Sequence, residues 1–199
     1  PKIVQDSMDV TQGKLVIGLD ILKEIDNISY ITMVYNTILG VGSNSKLFQN
    51  VRERASLAYT CGSSYVKRKQ IILVRAGIEI ENYEKALDII KEQLSDMENG
   101  NFNDEDIKNA KNLIFSTIDN IEEEQDTEIS YYFGQELAKS KISIEEYRKK
   151  IEEVTTGVIT TDVLNGATPL GFTSHSTNRY LNGKEMIKTQ LNANVDVLM

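Results

Sequence analysis

The chain has 199 residues, with 22 Lys and Arg against 30 Asp and Glu, and its formal net charge of −8 is the wrong sign for a surface that grips nucleic-acid phosphates. With 40% hydrophobic residues and no tryptophan, its composition is neither disordered nor fibrous. The longest apolar runs, Ile71-Ile72-Leu73-Val74 and Leu15-Val16-Ile17, fall far short of the ~18 to 20 residues that cross a bilayer.

Residues 13 to 22 are β-branched and apolar at the length of a buried strand. Ile28, Ile31, Val34, Tyr35, Ile38 and Leu39 then recur at three and four, the spacing of a helix face, and Gly40-Val41-Gly42 ends that helix. Ser43 or Asn44 is placed to cap a second, short helix with Leu47, Phe48 and Val51 on one side, stopping near Ala55. Two strands follow, Leu57 to Lys67 and Gln70 to Glu81, with Lys67-Arg68-Lys69 as the tip of an antiparallel hairpin.

Asn82 opens a helix carrying Tyr83, Ala86, Leu87, Ile90 and Leu94, closed by Asn99-Gly100 as a left-handed terminus. Asn103 caps the next, where Asp104, Glu105 and Asp106 suit the positive end of the helix dipole; it runs to about Glu124. Thr127 to Ala138 and a helix opened by Ser143 with Glu146 three positions on complete the helical run. This order predicts an α+β domain, with helices packed on one face of a mostly antiparallel sheet, over residues 1–156. Residues 157–199 are rich in Asn, Thr and Gly and read as an atypical, loosely attached tail, with one edge strand available at Val195 to Leu198.

Several features invite chemistry and mostly decline it. Gly40-Val41-Gly42 follows a helix instead of a strand and has no third glycine, so it reads as a hinge and not a nucleotide loop. Glu122-Glu123-Glu124 points three ways around a helix and reads as a solvated face. His175, between Ser174 and Ser176, has neither a nucleophile elbow nor a second imidazole to work with. As the sole histidine it cannot build a His-x-x-Glu-His zinc site, so no catalytic and no metal-binding residue is expected in this chain alone. Cys61, the only cysteine, excludes an intrachain disulfide and suits a reducing, cytoplasmic compartment. The start at Pro1 has neither Met nor a basic-then-apolar signal layout, so a piece of a longer chain is expected, without membrane or nucleic-acid partners.

The remaining feature lies between Ser45 and Tyr59. Arg52 leaves the end of the short helix and Tyr59 enters a strand, which can bring a guanidinium and a phenol together beside a sheet edge as donors to a peptide carbonyl. The plainer alternative is a surface arginine and a core tyrosine.

The segment Leu47-Phe48-Gln49-x-Val51-Arg52-Glu53-x-x-x-Leu57-Ala58-Tyr59, with Gly40-Val-Gly-Ser-Asn-Ser just before it, resembles the pitrilysin, insulinase and mitochondrial processing peptidase family of zinc metallopeptidases. Ser56 stands where the family commonly has glycine. The resemblance continues through Gly77-Ile-Glu-x-Glu81-Asn-Tyr-Glu-Lys-Ala, Asn109-Ala-Lys and Glu145 to Thr155, and so covers about residues 11 to 156. At Gly157-Val158-Ile159 the family's usual acidic pair is missing.

In that family two homologous halves close on the substrate, one carrying zinc and the other an Arg and a Tyr that hold substrate backbone. This chain is similar to the second half. The resemblance implies that Arg52 and Tyr59 bind peptide substrate, with zinc held only by a homologous zinc-bearing half or subunit. The alternative it leaves open is a non-catalytic scaffold of the same fold. A homodimer through exposed strand edges is also expected when the other half is missing.

Overall fold

The computed structural model describes residues 12–21, 27–159, 172–181 and 185–189. Among these residues five antiparallel strands form one sheet in the order β2-β3-β1-β4-β5. They are β1 (Gln12–Ile21), β2 (Ala58–Val66), β3 (Ile71–Glu79), β4 (Phe172–Leu181) and β5 (Glu185–Thr189). The helices are α1 (Ile28–Gly40), α2 (Tyr83–Glu98), α3 (Asp104–Glu123), α4 (Gln125–Leu137), α5 (Ile144–Glu152) and the single turn α6 (Thr156–Val158), so the predicted α+β class is the one observed.

Strand alternation decides which face is covered. Leu15, Ile17 and Leu19 pair with Ala76, Val74 and Ile72, and all six are buried because their side chains share the face on which the helices pack. Lys14 and Arg75 belong to the opposite face and are exposed. Against the covered face lie Val34, Tyr35, Leu39, Ala86, Ile90, Ile118 and Ile151, in one continuous core. Helix α1 packs on β2 and α3, and α2 packs on β3 and the segment before β2.

Most helix ends follow the sequence signals. Asn103 accepts from the amides of Glu105 and Asp106, while Asp106 accepts from the Asn103 amide, a complete capping box. The Ser143 hydroxyl accepts from the Glu146 amide at 3.1 Å, and Gly100 has φ 71°, the left-handed terminus. Two caps differ. Neither Ser43 nor Asn44 caps the short helix: the buried Ser45 hydroxyl donates back to Gly42 O at 2.8 Å, and Ser45 O accepts the Gln49 amide. Asn82 stands at the N-cap of α2 without a side-chain cap, because its amide donates to Glu79 Oε2 at 3.2 Å.

Strands β4 and β5 lie within the stretch 157–199, where the sequence predicts an atypical tail with an edge strand only at Val195 to Leu198. Strand β4 adds to β1 (Ile17↔Thr177, Ile21↔Phe172) and β5 to β4 (Arg179↔Ile187). Val195 to Leu198 lie outside the described residues.

Candidate functional site

The short helix before β2 is a π-helix, Phe48–Arg54, in which the Ala55 amide reaches Asn50 O at 3.2 Å. Such five-residue hydrogen bonding is rare and frequently falls at functional sites. Leu47 and Val51 anchor it in the core, both fully buried. Asn50 ties it to α2 by donating to the buried Gln93 Oε1 at 2.6 Å, and accepts in turn from Arg54 at 3.0 Å. With those side chains turned inward, Arg52 is turned out. Its guanidinium carbon lies 4.6 Å from the Phe48 ring centre and its Nε 3.7 Å from Glu53 Oε1. The side chain is 44% exposed, so this ion pair holds it only weakly.

Between the π-helix and β2 the backbone makes a left-handed step at Ser56, φ 51°. That geometry favours glycine, the residue the family commonly has at this position.

Tyr59 owes its position to a β-bulge. From Val66↔Ile71 to Thr60↔Gly77 the hairpin register is unbroken, but Ala58, not Tyr59, pairs with Ile78. Without the extra residue, Tyr59 would fall opposite the buried Ile78, on the core face with Cys61. The bulge re-aims it. Tyr59 is 54% exposed, which excludes the core-tyrosine alternative, and its hydroxyl donates to Glu79 Oε1 at 2.9 Å. That hydrogen bond to a carboxylate is the main reason the phenol pKa is raised above its usual 10.0, since the charged acceptor opposes a phenolate.

Arg52 and Tyr59 therefore line one depression of about 320 Å³, shared with Glu53, Ser56, Leu57, Ala58, Glu79 and Asn82. It lies at the end of β2, an edge strand of the sheet. Sequence reasoning placed the guanidinium and phenol together but missed Glu79, which holds both the Tyr59 hydroxyl and the Asn82 amide. Glu79 occupies an outward position of β3, and only the hairpin register, bulge included, links it to Tyr59.

The donor set does not fit a zinc hydrolase centre. The chain has one His and one Cys, and burial pushes the Cys61 thiol up to about 12, far from the thiolate a metal needs. Among the described residues no three His, Cys, Asp or Glu side chains cluster in a way that could hold a metal ion. No described helix is long and apolar enough to cross a membrane.

The described residues thus form an α+β domain with an Arg–Tyr pair at a sheet edge and no cluster that could hold a metal ion. Comparison with known proteins shows the family. The model of the peptidase M16 inactive domain matches residues 1–114, and the chain belongs to that family. It is 39% identical over 160 residues to the "Probable inactive metalloprotease YmfF" of Bacillus subtilis (strain 168), covering 78% of this chain and 37% of that relative.

Solved structures share the fold. A conserved protein from Enterococcus faecalis V583 superposes with TM-score 0.75 at 22% identity, over 86% of this chain and 40% of its own. A peptidase M16 inactive domain from Pseudomonas fluorescens gives 0.69 at 15% identity, over 84% and 41%. The inactive peptidase domain of a Bordetella parapertussis protein gives 0.69 at 12% identity, over 89% and 94%. The chain thus spans well under half the length of the curated relative and of the first two of these structures.

Proposed function

We propose that this chain is the substrate-binding, zinc-lacking half of an insulinase-like metallopeptidase, acting in peptide hydrolysis only with a homologous zinc-bearing half or subunit. The observation that carries the reading is the convergence of Arg52 and Tyr59 in one depression at the edge strand β2. Both are donors, as a peptide carbonyl or a developing oxyanion requires, and both are too exposed to serve as core supports. Glu79 gives the phenol a resting partner, so binding a peptide carbonyl exchanges one acceptor for another. The hydrolytic water and its activation belong to the other half.

Arg52→Lys and Tyr59→Phe test this. Neither change is expected to shift the thermal midpoint, because neither side chain is buried. In a preparation joined to the His-x-x-Glu-His half, each should lower peptide turnover at least tenfold, toward the 10²- to 10³-fold that loss of an oxyanion donor costs. Turnover that survives both changes refutes the assignment. A joined preparation that binds but never cleaves favours the second reading, a scaffold of the same fold. The description of both the family model and the Bacillus subtilis relative as inactive supports that reading.

A further inference from the structure

The Tyr59 hydroxyl has one proton, and in the free chain that proton goes to Glu79 Oε1 at 2.9 Å. A phenol that donates to a peptide carbonyl must first release this carboxylate, because a hydroxyl is a single donor. Glu79 then keeps only the Asn82 amide, on Oε2 at 3.2 Å. Hydrogen bonds to a charged acceptor are the stronger kind, so trading the Glu79 carboxylate for a neutral carbonyl runs uphill by itself. The exchange balances when the incoming peptide also brings a donor to Glu79.

The charges around Glu79 decide which donor fits. No ion pair among the described residues includes Glu79. On the same sheet face, the Arg75 guanidinium donates to Ser64 Oγ at 2.8 Å instead. Lys14, a diagonal neighbour two positions along β1 from Gln12, which pairs with Glu79, is in none of these ion pairs either. Across the depression Arg52 lies against Glu53, at 3.7 Å. Two carboxylates therefore share the depression with one guanidinium, and the unanswered charge is negative. A backbone amide of the peptide restores the lost hydrogen bond but leaves that charge; an ammonium or guanidinium answers both.

We propose that Glu79 is a specificity-determining residue of this site, selecting peptides that set a cationic group, either a basic side chain or the N-terminal ammonium, beside the carbonyl that Tyr59 takes. This rests on the reading of the depression as a peptide site and adds the class of peptide it prefers. The distances permit it. A carbonyl oxygen seated on the phenol lies two hydrogen-bond lengths from the Glu79 carboxylate, roughly 6 Å, a gap that the four-carbon stem of a lysine spans.

An amide-resolved NMR titration of the 199-residue chain with three short alanine peptides tests it. One is acetylated and carries a central lysine, the second has norleucine in its place, and the third is the norleucine peptide with a free amino terminus. At low salt the lysine peptide or the free-amino peptide, according to which cation the site takes, should bind about three- to fivefold tighter than the acetylated norleucine peptide, the yield of a solvent-exposed ion pair. High salt should erase the preference. Glu79→Gln should bring the ratio to about one, with the acetylated norleucine peptide bound as tightly as by the parent or tighter, since Tyr59 then leaves a neutral acceptor. Glu53→Gln should keep the preference. Binding at residues 52–60 and 79–82 without a charge preference overturns this inference alone, as does a preference that survives Glu79→Gln or is lost equally in Glu53→Gln. Weaker binding of the norleucine peptide by Glu79→Gln also overturns it, because Glu79 is then a support for the site and not its selector. Peptides that leave those amides unmoved overturn the peptide-site reading and this inference with it.

Discussion

Replacing Gly40 by Ala sets two effects of opposite sign against each other. In a helix, Gly→Ala ordinarily stabilises by about 0.5–1 kcal/mol through backbone entropy. Here α1 meets β2 backbone to backbone: a Cβ on Gly40 would lie 2.5 Å from Ser63 N and 2.8 Å from Ser63 Cβ, and a Cβ on Gly62 would lie 2.8 Å from Gly40 O. The Ser63 hydroxyl can rotate away, but its amide cannot without moving β2. Relief needs roughly 1 Å of separation, and forced overpacking of this kind costs about 1–3 kcal/mol. Because Gly40 ends the helix, little of the propensity gain applies, and we expect a net loss of about 2 kcal/mol. For a chain of this size that lowers the thermal midpoint by roughly 4–8 °C. Urea unfolding followed by circular dichroism should show a lower midpoint with an unchanged slope. A Gly40→Ala protein as stable as the parent, or more so, refutes the close-approach argument.

Ser56→Gly should act the other way, raising stability by about 0.5–1 kcal/mol, because relief of a left-handed non-glycine residue (~1–2 kcal/mol) exceeds the added unfolded-state entropy; an unchanged or lower melt refutes it. Cys61 sets an alkaline limit. Its folded pKa of about 12 stands above the usual 9.0, so its contribution is complete below pH 9 and is lost as pH rises from 9 toward 12, by up to ~1.4 kcal/mol per pH unit. Urea titrations from pH 8 to 10 should show that slope, flattened in Cys61→Ala; above pH 10 the buried tyrosines Tyr35 and Tyr147, also raised by burial, add to it. A parent protein with no loss between pH 9 and 10 refutes the assignment to Cys61.

The helical layer and three strands were legible because their signals are local and repeated. The alternation of Leu15, Ile17 and Leu19, the Asn103 capping box and the spacing along α1 each needs only a few neighbouring residues. Strands β4 and β5 were not legible. Between Phe172 and Tyr180 the stretch Thr-Ser-His-Ser-Thr-Asn-Arg is polar without an apolar alternation, and its strand character lies in Thr and Tyr propensities and in a ladder with β1 more than 150 residues away in sequence. The π-helix was legible as a helix but not as a π-helix, since five-residue hydrogen bonding leaves no simple hydrophobic period. Tyr59 is the sharpest case. Strand alternation alone assigns its position to the core face, and a single bulge overrides that assignment.

The departures from regular geometry are concentrated. Within residues 48–60 the chain adopts a π-helix, then a left-handed non-glycine residue at Ser56, then a bulge at Tyr59. Each costs free energy that a plain helix, turn and strand would not, and such costs persist only where the surroundings over-determine them. Those surroundings are identifiable: Leu47 and Val51 sunk in the core, Asn50 tied to Gln93, and Ala58 seated opposite Ile78. None of these anchors requires Arg52 or Tyr59 to be arginine or tyrosine, for both side chains point outward and contribute little packing. A fold under selection for stability alone has no use for a left-handed serine set between a π-helix and a bulge, which together present two hydrogen-bond donors to solvent. The strain is intelligible if what the segment must deliver is the donors themselves, set side by side at a strand edge.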